Sequence, residues 1–149
     1  MVAYNFKRGF VGAIQAKRKR QTVRRLRPRH ARPGEALQLY TGMRTKHCRK
    51  ILTPDPPCTR LDEIVLEVGR SHEWRFALFE INGIPLDEAA VEAFAERDGF
   101  EVPDTYEFTA TSVMIRFWAI THGLGPFEGV VIHWDPSDCS APAIEERRS

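Results

Sequence analysis

The sequence predicts an α+β fold, a small curled sheet or barrel carrying helices. Three observations lead there. Short β-branched or alternating segments are parted by clusters of proline and glycine, two stretches carry apolar residues at helical spacing, and the regular strand and helix alternation of a doubly wound parallel sheet is missing.

Tyr4 to Phe10 predicts a short strand or extended lead-in, and Val11, Ile14 and Gln15 begin a brief helical stripe. Gln21 to Arg25 predicts a strand because Thr22 and Val23 are β-branched. Leu26 to Glu35 holds Pro28, Pro33 and Gly34, which cannot continue a ladder, and is expected to be a loop. Ala36 to Tyr40 places Leu37 and Leu39 on one face of a strand that Gly42 closes. Thr53 to Thr59, with Pro54, Pro56 and Pro57, predicts a second loop. Ile64 to Val68 and Arg75 to Ile81 are strand candidates joined by a polar turn, and Asn82 with Gly83 signals a tight turn.

Leu86, Ala89, Ala90, Ala93 and Phe94 define a helix whose early acids, Asp87, Glu88 and Glu92, suit the helix dipole, and which should end near Gly99. Asp104 with Glu107 resembles a capping pair for a second helix, with Val113, Met114, Phe117, Trp118 and Thr121 on one side and Gly123 as its stop. Gly129 to Trp134 reads as a buried strand, and Pro136, Ser137, Ser140 and Pro142 introduce a frayed tail over 135–149.

At 149 residues with 42% apolar content, one domain spanning 1–149 is expected, burying roughly two thirds of its unfolded surface. The apolar runs fall far short of a membrane span. Three cysteines cannot pair completely and no secretory leader pattern opens the chain, which points to a reducing, cytoplasmic setting.

The formal net charge of +2 hides a polarised chain: the first fifty residues hold 15 of the 22 bases and one acid, Glu35. Like charges packed so closely repel unless a polyanion or neighbouring acids neutralise them. A basic face of Lys17, Arg18, Arg20, Arg24, Arg25, Arg27 and Arg29, with Arg44 and Lys46, is therefore the candidate surface for RNA or single-stranded nucleic acid. Tyr40, Trp74 or Phe10 could stack on a base. The competing reading has the acidic half folding over the basic half.

The order Lys17-Arg18-Lys19-Arg20-Gln21-Thr22-Val23-Arg24 resembles the Gly-x-Lys-x-x-Thr-x-Arg signature of the ASCH domain family, within the PUA-like superfamily. Pro33 to Leu39 is similar to that family's Pro-Gly-Asp turn into a barrel strand, and Ala95 to Phe100 to its acidic helix end. Leu39 to Lys46 resembles a branch found in bacteria and their phages. The likeness covers roughly residues 6–134. It implies a small PUA-like β-barrel flanked by helices, with a cleft for RNA or a modified nucleoside. Some relatives remove the acetyl group from N4-acetylcytidine with a lysine, a threonine and an acid, which correspond here to Lys19, Thr22 and Asp98. Two positions depart from the pattern: Lys17 replaces the glycine, and Asp98 is one methylene shorter than glutamate.

In the hydrolytic reading Thr22 attacks an acyl-amide carbon, Lys19 serves as its base, and Asp98 handles the leaving amine. Crowding by Arg18, Arg20, Arg24 and Arg25 would lower the Lys19 pKa. The plainer reading makes Lys19 a solvated cation, Thr22 a strand former and Asp98 a cap. A third class is a basic adaptor without chemistry. No metal or cofactor is expected: His47, Cys48, Cys58 and His72 lack ligand spacing, and neither a phosphate loop nor a serine elbow is present. His122 and His133 read as helix-end and strand residues, and Met114, Phe117 and Trp118 as core.

Overall fold

The computed structural model describes residues 2–70, 75–102 and 109–143. The chain begins with β1 (Val2–Phe6), a 3-10 turn (Arg8–Phe10), α1 (Val11–Gln15) and β2 (Gln21–Arg25). Next come β3 (Leu37–Thr41), β4 (Arg49–Lys50), β5 (Cys58–Arg70), β6 (Arg75–Ile81) and β7 (Ile84–Pro85). Two helices, α2 (Glu88–Arg97) and α3 (Ala110–Thr121), precede β8 (Gly125–Trp134).

The α+β expectation holds, with the strands divided between two sheets. The smaller has the order β1-β3-β4, with β1 parallel to β3, and the larger has the order β2-β8-β5-β6-β7 and is antiparallel throughout. Among the described residues the sheets do not close into the expected barrel. The seam lies between β1 and β2, where the 3-10 turn and α1 intervene. There the carbonyl of Asn5 accepts from the guanidinium of Arg24 (2.6 Å) rather than from a strand N–H.

The long β5 and β8 ladder is the spine, and alternation along it serves two cores. Phe127 and Val131 join Ile64, Leu66, Val68 and the apolar faces of α2 and α3. Ile132 and Trp134, pointing the other way, join Tyr4, Phe6, Leu37 and Leu39 of the small sheet. Phe10 packs against both cores and marks their junction.

Local chemistry fixes the element ends. Asp87 caps α2 by accepting from Ala90 N (2.8 Å), and Gly99 follows the helix at φ +94°. Thr109 and Ser112 form a reciprocal capping box at α3, whose C-terminal turn is followed by Gly123 at φ +79°. The expected pair Asp104 and Glu107 lies outside the described residues.

Two strands run past their expected bounds. Cys58 to Leu61 pairs with Trp134 to Ile132 across a register shift, and Val65 to Val68 pairs with Glu128 to Gly125. Cross-strand pairing outweighs the polar local sequence there. The chain beyond Trp134 also stays attached: Thr53 and Ser140 exchange backbone hydrogen bonds of 2.9 Å, and Cys139 is buried in the second core. Residues 144–149 of the expected tail lie outside the described residues. Among those described, no helix is long and apolar enough to cross a membrane.

Candidate functional site

The backbone brings Lys19 and Asp98 together. After α1 the chain turns through Lys17 at φ +64°, and the amides of Arg18 and Lys19 both return to Ala13 O, so Lys19 is thrown inward just before β2. Asp98 is the C-cap of α2, its amide bonded to Phe94 O (2.9 Å), and Arg20 N reaches Arg97 O (3.3 Å). The two side chains are therefore delivered from opposite sides of one short tie.

Lys19 is 2% exposed, and its Nζ donates to the main-chain O of Asp98 at 2.6 Å. The Asp98 carboxylate stands 3.7 Å from the same nitrogen and accepts from Gln21 Nε2 at 3.3 Å. Nζ also lies over the rings of Phe10 (4.8 Å) and Phe6 (5.8 Å), which supply the cation with quadrupole contact but no water. Burial lowers the Lys19 pKa; Asp98 opposes the shift and Arg24 reinforces it. Burial is thus the main cause, not the sequence crowding expected, and Arg24 is the neighbouring cation that contributes.

Thr22, also buried, accepts at Oγ1 from Arg24 Nε (3.1 Å). Among the described residues this arginine, and not Lys19, is the hydrogen-bond partner of the threonine hydroxyl. Arg24 is itself held by Asn5 O and lies over the rings of Phe6 (4.8 Å) and Tyr4 (5.4 Å).

Lys19, Thr22 and Asp98 line one cleft of about 480 Å³. Phe6 and Phe10 form part of its wall, with Phe117, Trp118 and Phe127 from the helical core. Lys7, Arg24, Arg25 and Arg27 also line it, while Asp98 is the acid among its lining residues. The cleft therefore combines a polar floor, aromatic walls and a surplus of positive charge.

The remaining basic candidates are distributed elsewhere. Lys17, Arg18 and Arg20 line a separate groove with Arg97, Phe100 and Glu101, where Arg18 is ion-paired to Glu101. Arg29 is ion-paired to Glu35, and Arg44 and Lys46 lie in the turn between β3 and β4. Of the stacking candidates, Phe10 is in the cleft but packs edge-on to Phe100 and Phe117, Tyr40 lies on β3 outside it, and Trp74 is outside the described residues.

Lys7, Asn5, His30 and His122 join the cleft without a sequence signal of their own. His30 Nε2 donates to Arg25 O (2.8 Å), which leaves Nδ1 to accept from Tyr4 OH (2.9 Å). Burial lowers its pKa. Away from the cleft, Asp62 accepts from His133 Nε2 (2.8 Å) and Arg60 Nε (3.0 Å).

Among the described residues no group of three His, Cys, Asp or Glu side chains is placed to hold a metal ion. No family model, no curated protein and no solved structure matches this chain.

Proposed function

We propose that the cleft binds a nucleoside unit, free or within RNA or another single-stranded nucleic acid, in an ASCH-like variant of the PUA-like barrel. The observation that carries this reading is the combination of a buried Lys19 and Asp98 floor with aromatic walls and four further cations in one 480 Å³ space. That volume falls within the roughly 300–1,000 Å³ of small-ligand sites and suits one base with its sugar. The floor offers both a carboxylate acceptor and a cationic donor, which a base edge can use. In this reading the Arg24 bond to Asn5 O stands in for the strand pairing that would close a barrel between β1 and β2.

The test is a titration of the purified protein with nucleosides, including cytidine and N4-acetylcytidine, and with a short single-stranded RNA at several salt concentrations. Saturable binding that is lost in Lys19→Met is expected. RNA affinity should fall with salt at roughly 0.7 log units per log unit for each phosphate contact. Salt-independent RNA binding together with no nucleoside binding would remove the reading, and salt-dependent RNA binding without nucleoside binding would leave a basic adaptor without a ligand cleft.

A second reading, an amidohydrolase acting on N4-acylated cytidine, is favoured by the buried lysine with a lowered pKa beside a threonine whose hydroxyl receives an arginine N–H. The Arg24 bond stabilises developing negative charge on Thr22 Oγ1, the requirement for a nucleophile. Lys19 would have to turn from Asp98 O to the Thr22 proton. Cytidine and acetate released from N4-acetylcytidine, and neither released by Lys19→Ala or Thr22→Ala, is the chromatographic signature of this activity.

A further inference from the structure

Some cations outside the cleft meet the chain's own carboxylates: Arg18 meets Glu101, Arg29 meets Glu35, Lys50 meets Asp55 and Arg60 meets Asp62. Inside the cleft Lys19 stands beside Asp98. Arg24 is occupied by Thr22 and Asn5, and Arg27 donates to Arg29 O. Lys7 and Arg25 line the same space, and among the described residues neither is paired with a carboxylate or engaged in a side-chain hydrogen bond.

Both unpaired cations lie over the aromatic wall at the α3 side. Lys7 Nζ is 5.3 Å from the centroid of Phe117, and Arg25 Cζ is 5.4 Å from that of Phe127. His122, the C-cap of α3, lies against the same wall, its ring 4.2 Å from Trp118 and 5.9 Å from Phe127. Three nitrogen-bearing side chains thus surround one end of the cleft, set on rings that fix their direction.

We infer that Lys7, Arg25 and His122 form a phosphate subsite, so that the ligand is a phosphorylated nucleotide unit rather than a neutral nucleoside. This deepens the nucleoside-binding reading and rests on it. The carbonyl end of α3 opposes an anion here, but with only about half an elementary charge, against two full cations. Burial, then Arg25 and Lys7, hold the His122 pKa below its ordinary value. A phosphate placed among the three would reverse that repulsion and recruit the protonated ring as a third donor. The groups facing His122 in this argument are Lys7 from the segment after β1, Arg25 from β2, and the rings of Trp118 and Phe127.

Calorimetric titration of the full chain with the four common ribonucleosides, their 3′- and 5′-monophosphates, a dinucleotide and inorganic phosphate tests the subsite. At least one monophosphate or the dinucleotide should bind about tenfold or more tightly than its parent nucleoside. The arms separate a terminal phosphate from one inside a strand. The double variant Lys7→Gln with Arg25→Gln should lose that advantage, binding nucleoside and nucleotide with about equal affinity, and a thermal melt reports that it is folded. His122→Gln should remove the tightening of phosphate binding seen as pH is lowered. Equal affinity for nucleoside and nucleotide in the unaltered protein overturns the subsite and leaves the nucleoside reading standing. If no nucleoside and no nucleotide binds, both fall.

Discussion

Lys19 Nζ donates to the main-chain carbonyl of Asp98 at 2.6 Å, while the carboxylate of the same residue stands 3.7 Å away. The amine is anchored by a group that no substitution at position 98 removes, and its charge is compensated by one that a substitution can. Because burial holds the Lys19 pKa below the ordinary 10.5, the unfolded chain binds more protons than the folded one between the folded value and 10.5. Stability attributable to this residue therefore rises with pH across that window. Urea midpoints measured from neutral to alkaline pH should show the rise in the unaltered protein and a flatter profile in Lys19→Met. Asp98→Asn removes the influence that raises the pKa, so its window should open at lower pH. A Lys19→Met profile that parallels the unaltered one would contradict the assignment.

Gly99 faces the stem of this lysine. Its φ of +94° disfavours any side chain, and a Cβ there would come within 2.9 Å of Lys19 Cδ and 3.0 Å of Lys19 Cβ. The second contact is with an atom close to the backbone, which has little freedom to retreat. Gly99→Ala should cost about 1–3 kcal/mol and weaken ligand binding by displacing Lys19. Gly12 is the contrast: it lies in α1 with nothing within 4 Å of an added Cβ. Gly12→Ala should be neutral or stabilising by up to about 1 kcal/mol. Paired thermal melts and titrations separate the two effects.

Much of the fold was legible because local chemistry and tertiary packing agree. Gln21 to Arg25, with β-branched Thr22 and Val23, does form a strand, and the expected α3 stripe does face the core, whereas α2 buries Val91, Phe94 and Ala95 and leaves Ala89, Ala90 and Ala93 of the expected stripe outside it. Features that stayed hidden depend on remote partners or on a less familiar cap. The first residues of β5 look like loop until β8 supplies their register, and Thr109 with Ser112 fixes the start of α3 by a short-range exchange that a Ser or Thr followed by Glu pattern misses. At the cleft, the resemblance of Lys17 to Arg24 and of Ala95 to Phe100 to family motifs pointed to Lys19, Thr22 and Asp98. Asn5 and Lys7 come from the end of β1 and the residue just after it, His30 from the loop after β2 and His122 from the end of α3, so only the tertiary fold brings them in.

Asn82 does two things in the turn between β6 and β7. It adopts φ +51°, which asparagine tolerates better than most residues, and its side chain spans the neighbouring strand. Oδ1 accepts from Glu63 N at 2.8 Å, and Nδ2 donates to Asp62 Oδ1 at 3.0 Å. Burial pushes the Asp62 carboxyl up, but hydrogen bonds from Asn82 and His133 and the charge of Arg60 outweigh it and hold the pKa below the ordinary carboxylate value. The stability this contributes is present above the unfolded carboxylate pKa and lost as pH falls through the folded one. Asn82→Ala should cost about 1–3 kcal/mol at neutral pH. Asn82→Gly keeps the backbone freedom and should recover part of the loss. Acid unfolding should begin at higher pH in both variants, and an unchanged acid limb would rule out the Asp62 contribution.

Tyr4 couples the floor of the small sheet to the loop that carries Arg27. Its hydroxyl accepts from Ala31 N at 3.1 Å and donates to His30 Nδ1 at 2.9 Å, while the Arg27 guanidinium lies 4.8 Å over its ring. Because Arg25 O can only accept, His30 Nε2 must carry a proton, and with the Tyr4 hydroxyl donating to Nδ1 the imidazole is neutral. Its folded pKa is below 6.5, chiefly through burial, so the unfolded chain binds more protons between the folded value and 6.5. Stability from this histidine is therefore complete above the unfolded value and lost as pH falls toward the folded one. Tyr4→Phe preserves the ring under Arg27 but leaves the buried Ala31 N–H without its acceptor, and a loss of about 1–3 kcal/mol is expected near neutral pH. NMR titration should show the His30 pKa moving toward 6.5 in the variant as the loop loosens. A Tyr4→Phe protein with unaltered stability and an unaltered His30 titration would mean that the loop is held by other contacts, and that Arg27 does not owe its place in the cleft to this hydroxyl.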